Sequence, residues 1–203
     1  MRRKPLQNRS KERVEQILNT AEQILIKGGY KETTTRAIAS ECGISVGSLY
    51  QFFPDKEAII LGLAERYNQQ ITELFQKLHQ QKTSSLPLNE YVELVIDTFK
   101  QFFTDNPGYV AMFNQIQELI PQLLKQDADL NAQLVEELAN FLQQRKPELE
   151  AINVKVIAFV VVEIVGTLLW VSYEQEPSFR EQLISQTKFL VLTYLQSHFQ
   201  PQP

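Results

Sequence analysis

Along the whole chain apolar residues return every three or four positions, and no stretch alternates apolar with polar at every second position. That pattern predicts helices throughout and an all-α fold. The first helix begins after Ser10, whose hydroxyl can cap it. It carries Val14, Ile17, Leu18, Ala21, Ile24 and Leu25 on one face until Gly28-Gly29 stops it. Thr34 caps a second, short helix that Gly43 ends, and Ser45 caps a third that reaches Phe52. Asp55 caps a long fourth helix from Lys56 to about Gln81. Two short helices joined by a Gly-containing turn make a helix-turn-helix over residues 34–53. Longer helices are expected over 88–106, 108–119, 127–144, 149–173 and 178–198. The breaks between them fall at Ser84-Ser85-Leu86-Pro87, Asn106-Pro107-Gly108, Arg145-Lys146-Pro147 and Glu176-Pro177. The expected division is a flexible basic arm over 1–9, a helix-turn-helix domain over 10–56 and a larger helical domain over 57–203.

The stretch Gly43–Glu57, GISVGSLYQFFPDKE, puts small residues on one side of the third helix and bulky ones on the other. A helix that enters the major groove needs both: an outer face that lets the backbone approach the duplex, and an inner face large enough to hold it rigidly. Gly47 has no side chain where the backbone would graze DNA, Ser45 and Ser48 are hydroxyl donors, and Gln51 has the amide that pairs with adenine. Leu49 and Phe53 point inward with Ile38 and Ile44, while Tyr50 and Lys56 flank the helix where phosphates would lie.

From Ser10 to about Tyr67 the chain resembles the amino-terminal domain of the TetR family of bacterial transcriptional regulators. The matching pieces are Gly28-Gly29-Tyr30, Thr34-Thr35-Arg36-Ala37-Ile38-Ala39, Gly43-Ile44-Ser45, and Gly47-Ser48-Leu49-Tyr50 through Phe53 to Lys56-Glu57. The resemblance implies that Thr35 and Tyr50 contact phosphates, that Arg36 reaches a base or a phosphate, and that Lys56 clamps a phosphate. It also implies a groove-facing surface of Ser45, Val46, Gly47, Ser48 and Gln51. Val46 departs from the Lys, Gln or Arg often found at its place and has no hydrogen bond to offer, though it can pack on a thymine methyl. Further implications are a homodimer on a palindromic double-stranded DNA operator, repression as the default, and release by a small-molecule effector. The runner-up reading is a helical protein-interaction module that keeps the fold without reading an operator.

Charge fits a DNA-binding front end. The chain is −4 overall, but up to Lys56 it has ten basic residues against six acidic ones, so the excess of acid lies in the remainder. Arg2-Arg3-Lys4 with Arg9 fit either an arm that touches phosphates or the minor groove, or a solvated tail. A single cysteine, Cys42, and no charged-then-apolar leader point to a reducing, cytoplasmic setting. The chain has no nucleophile elbow, P-loop or dinucleotide fingerprint. His79 and His198 are isolated, so neither an enzyme, a metal site nor a resident cofactor is expected.

Val154–Val171 is the most apolar window, but Lys155 and Glu163 cut it into pieces shorter than the roughly 20 residues that cross a bilayer. A buried helix is therefore expected there, with no membrane partner. One face can meet the chain's own core and another a second subunit. Phe179, Leu183, Leu190, Val191 and Tyr194 form a matching stripe on the last helix, which fits either a dimer seam or the chain's own core. Phe99, Phe102, Phe103, Tyr109, Met112, Phe113 and Trp170 are candidates for the lining of an effector pocket, or for core. Glu163 is a candidate to receive a cationic, lipophilic effector, or to hydrogen-bond at the dimer seam.

Overall fold

In the computed structural model, which describes residues 4–80, 86–116 and 120–199, every regular element is a helix. The first, α1 (Lys4–Glu32), starts ahead of Ser10, so that hydroxyl lies inside the helix and caps nothing. The residues before it suit a helix, because Pro5 sits in the first turn, where its missing N–H costs no hydrogen bond. Of the expected arm, residues 4–9 are thus helical, and residues 1–3 lie outside the described residues.

Gly29 breaks the helical path with a φ of 74°, a left-handed conformation in which a side chain would be strained. One more turn carries the chain to Thr33, which is fully buried and donates its hydroxyl to the Gly29 carbonyl at 2.9 Å. Thr34 then caps α2 (Thr35–Glu41) by accepting from the Ala37 N–H at 3.1 Å. Gly43, at φ 65°, turns the chain out of α2. Ser45 caps α3 (Val46–Tyr50) by accepting from the Ser48 N–H at 3.1 Å, and α3 ends before Phe52. Asp55 Oδ1 accepts from the Ala58 N–H at 2.7 Å at the head of α4 (Lys56–Gln80).

The later helices are α5 (Leu88–Asp105), α6 (Pro107–Ile116), α7 (Pro121–Arg145), α8 (Ala151–Ser172) and α9 (Pro177–Phe199). Helix α7 begins at Pro121, well before Asp127, because a proline is favoured in a first turn. The expected ends of α4 at Gln81 and of α6 at 117–119 lie outside the described residues.

The chain packs as two compact units. One comprises Met1–Asn68 with Pro107–Gln126, and its core is built from Ile17, Ala21 and Leu25 of α1, Ile38, Leu49, Ile59, Ile60 and Leu63. Helix α6 belongs to this unit, and a polar clasp explains why. Glu22 of α1 accepts from Tyr67 Oη at 2.5 Å and from Arg66 Nη2 at 2.7 Å. Gly108 fits against that clasp with nothing to spare: a Cβ there would lie 2.5 Å from Tyr67 Oη and 2.7 Å from Glu22 Cγ.

The other unit comprises Gln69–Asn106 with Asp127–Pro203. In it α8 packs against α5 and α9. Among the described residues α8 is the one helix long and apolar enough to cross a bilayer, with 22 residues and a mean hydropathy of 2.3. As placed it is a packed helix: one face, including Val154, Ile157, Ala158 and Leu169, is buried, and Lys155 pairs with Glu136 of α7.

The clasp predicts an asymmetry between two glycine replacements. Gly108→Ala should cost about 1–3 kcal/mol of stability, from a clash with the hydrogen-bonded side chains of Tyr67 and Glu22. Gly166→Ala, where a Cβ would meet nothing within 4 Å, should leave stability unchanged or raise it by about 0.5–1 kcal/mol. Urea denaturation of the two variants beside the wild type checks this, and equal midpoints would contradict it.

Candidate nucleic-acid interface and effector cavity

Helix α3 is too short to hold itself together, so its orientation is set by what it buries. Leu49 is fully buried with Ile38, and the chain beyond it returns over α4, where Phe53 lies against Gly62. The opposite side faces solvent. Ser45, Gly47, Tyr50 and Gln51 are exposed, and Val46 and Ser48 are half-exposed. Nothing inside the fold calls for a glycine at 47: its φ is ordinary, and a Cβ would touch only Ser45 Oγ, at 3.9 Å.

The hydroxyls of Thr35 and Tyr50 lie 3.4 Å apart, and Tyr50 is 50 % exposed. Arg36 projects from α2 into solvent. Arg36, Tyr50 and Gln51 are thus exposed and Thr35 and Ser48 half-exposed, while Ser45 spends its Oγ on the helix cap. Lys56 is held: its Nζ donates to the Tyr30 carbonyl and sits 3.4 Å from the centre of the Tyr30 ring. Burial pushes the Lys56 ammonium below its ordinary pKa.

The carboxy-terminal unit encloses an apolar cavity of about 80 Å³. Its wall is built from Phe75 of α4, Tyr91, Ile96, Phe99 and Phe103 of α5, Leu134 and Leu138 of α7, Val161, Val165 and Leu169 of α8, and Val191 and Leu195 of α9. Asn131 of α7 also lines it and donates Nδ2–H to Glu163 Oε1 at 3.3 Å. The Asp127 carboxyl is pushed above its ordinary pKa, by burial first and by the charge of Glu163 second.

Of the residues expected to line a pocket, only Phe99 and Phe103 do so. Tyr109, Met112 and Phe113 are buried in the amino-terminal unit, where Tyr109 packs edge-on against Tyr67 at 5.4 Å. Phe102 faces a shallow groove with Leu74 and Leu94, and Trp170 and Glu163 are half-buried outside the cavity wall. The wall's main component on α8 is the aliphatic stripe Val161, Val165 and Leu169, which lies outside the aromatic set expected from the sequence. That stripe's four-residue spacing was visible in the sequence.

The expected seam on α9 divides between two faces. Val191 is buried against the cavity, so it belongs to the chain's own core, with Ile184, Thr187 and Leu195. Phe179 and Leu190 are exposed, and Leu183 and Tyr194 are half-buried. The outward apolar surface includes residues that sequence reading missed: Phe189 of α9, 66 % exposed, and Ile152, Val156 and Phe159 of α8.

Residues 17–63 match the family model for bacterial regulatory proteins of the tetR family, and residues 87–195 match that for the tetracyclin repressor-like C-terminal domain. The HTH-type transcriptional regulator YerO of Bacillus subtilis, itself uncharacterized, is 45 % identical over 56 residues. That stretch is 28 % of this chain, which spans only 19 % of YerO's length. The nucleoid occlusion factor SlmA of Haemophilus ducreyi is 31 % identical over 143 residues, 67 % of each chain. Among solved structures, the transcriptional regulator FadR of Bacillus subtilis, in complex with stearoyl-CoA, superposes with a TM-score of 0.61 at 18 % identity. The match covers 89 % of this chain and 98 % of that one, and it is a likeness of fold.

One titration follows from the cavity's aromatic end. His79 Nε2 lies 3.0 Å from Tyr91 Oη, its ring packs on Phe75 and Phe141, and its Nδ1 is buried without a hydrogen-bond partner. Burial pushes the imidazole pKa down to about 4, against a smaller opposing pull from Glu137. The unfolded chain then binds a proton below pH ~6.5 that the folded chain refuses, so this group's stabilisation is full above that pH and falls toward pH 4. Urea midpoints at pH 7.5 and 5.0 should drop more for the wild type than for His79→Phe. Equal drops would contradict the assignment.

Proposed function

The chain belongs to the TetR family of DNA-binding transcriptional regulators, and from that premise we propose that it is a repressor released by a small lipophilic effector. It binds a palindromic operator as a homodimer. The observation that carries the reading is Gly47: the exposed turn of α3 lacks a side chain at a position where the fold has room for one. Close approach of a DNA backbone supplies the reason that packing does not. In this reading Thr35, Tyr50 and Lys56 hold phosphates, Arg36 reaches a base or a phosphate, and Ser45, Val46, Gly47, Ser48 and Gln51 face the groove. Tyr30 keeps Lys56 in place.

Two recognition helices must be presented about one DNA turn, roughly 34 Å, apart, and a second copy of the chain provides the other. The outward apolar residues Ile152, Val156 and Phe159 of α8, with Phe179, Phe189 and Leu190 of α9, are the surface it would cover. The remaining division is a DNA-reading segment over 10–56, preceded by a basic arm, and an effector-binding and dimerisation segment over 57–203. The protein acts in the cytoplasm, where its DNA is.

An apolar cavity wall supports a lipophilic effector, and a FadR of the same fold holds stearoyl-CoA. Helix α4 offers the coupling, since it carries Lys56 at its start and Phe75, a cavity wall residue, toward its end. A drug-sized ligand needs roughly 300–1,000 Å³. The walls must therefore part to admit one, and Phe75 moves with them. Turning a binding population from mostly competent to mostly incompetent takes about 5.5 kcal/mol of differential affinity.

Gly47→Leu tests the reading, because leucine is a good helix former and the fold leaves it room. Melting should be unchanged, while affinity for a pool of random duplexes falls on the order of tenfold or more, about 1.4 kcal/mol. Wild-type binding should weaken steeply between 50 and 200 mM salt, as counterion release requires. Undiminished binding by a folded Gly47→Leu protein, or salt-independent binding by the wild type, would favour a protein-interaction module instead.

A further inference from the structure

A base that meets α3 finds no cation on it. Residues 43–55 contain no Lys or Arg, and the two that bracket them lie elsewhere: Arg36 stands on α2, and the Lys56 ammonium is held against the ring and carbonyl of Tyr30. Guanine is most often read by an Arg or Lys that bonds its O6 and N7 together, so α3 lacks the usual means of choosing it. Ser45 has its oxygen engaged by the Ser48 N–H at 3.1 Å. Besides Ser48, α3 and its C-cap present the gap at Gly47 with the Gln51 amide four residues on, and the half-exposed side chain of Val46 with Tyr50 four residues on.

The Val46 side chain ends in methyl groups and has nothing to hydrogen-bond with. In the major groove thymine alone of the four bases shows a methyl group, while adenine, guanine and cytosine show only donors and acceptors. Against any of those three, Val46 would strip water from a polar atom and leave it unbonded, a cost that a thymine methyl does not carry. Selection at this position thus comes from attraction to one base and rejection of the others. Gln51 has the amide that bonds the N6 and N7 of adenine together. Both residues favour an A·T pair.

We propose that each half-site of the operator carries an A·T core, in which a thymine methyl packs on Val46 and an adenine bonds to Gln51. This inference rests on the reading of α3 as the groove-facing helix and names the bases that helix selects. Gly47 serves it directly. With no side chain between Val46 and Gln51, the backbone comes close enough for a valine, which reaches no farther than its Cγ atoms, to touch a base.

The test uses the full chain and begins with duplexes enriched from a random pool. In the leading duplex each thymidine is replaced in turn by deoxyuridine, symmetrically in both half-sites, which removes the major-groove methyl and leaves the base pairing intact. The wild type should lose on the order of tenfold in affinity at one such position, about the worth of a buried methyl in each of two half-sites. Val46→Ala should melt like the wild type, bind the thymine duplex several-fold more weakly, and no longer distinguish uracil there, since groups in contact do not act additively. Selection repeated on Gln51→Ala should lose its preference at an adenine. Uracil bound as tightly as thymine at every position, a thymine preference that Val46→Ala keeps, or an enriched motif of G·C pairs alone would overturn this proposal while leaving a sequence-reading α3 in place. A pool that yields no motif would overturn operator reading itself, and this proposal with it.

Discussion

Leu49 is the residue on which a DNA-reading surface depends here. A helix the length of α3 has no stability of its own. Its five residues, Val46–Tyr50, are held by the hydroxyl cap from Ser45 and by the burial of Leu49 with Ile38. Once Leu49 points inward, the helical repeat leaves Gly47, Ser48 and Gln51 no direction but outward, and it brings Tyr50 to Thr35 of α2. The outer surface is thus a consequence of the inner one, and its chemistry can vary without disturbing the fold.

A second constraint binds α6 to the amino-terminal helices. Burial and the hydrogen bond to Glu22 both raise the Tyr67 phenol's pKa, so the hydroxyl stays protonated and donating throughout the physiological range. The same carboxylate takes Arg66, which also reaches Asn19 at 2.6 Å, and Gly108 closes over the assembly. Helix α6 follows α5 directly at Asn106-Pro107 and packs on α1.

What could be read from the sequence was local chemistry. The caps at Thr34, Ser45 and Asp55 and the turn at Gly43 were legible because a short polar side chain, or a missing one, acts within three residues of itself. Ser10 misled because a hydroxyl caps only where the preceding residues are poor helix formers, and Pro5 is harmless in a first turn. The partners of α6 were not legible: Tyr109, Met112 and Phe113 follow the fit of Gly108 against Tyr67 and Glu22, residues far from it in sequence. The two sides of α9 were equally opaque, since Val191 and Leu190 are adjacent apolar residues, and only the neighbouring helices decide that one is buried and the other exposed. Most of the cavity wall escaped notice because aliphatic side chains around a void carry the same pattern as side chains around a filled core.

Sequencing the duplexes that the purified protein enriches from a random pool tests the central claim most directly. The account predicts a two-fold-symmetric motif whose half-sites are centred about one helical turn, roughly 10 base pairs, apart or a multiple of it. A pool that stays unenriched, or a single motif without symmetry, would contradict a paired recognition helix reading its operator as a dimer.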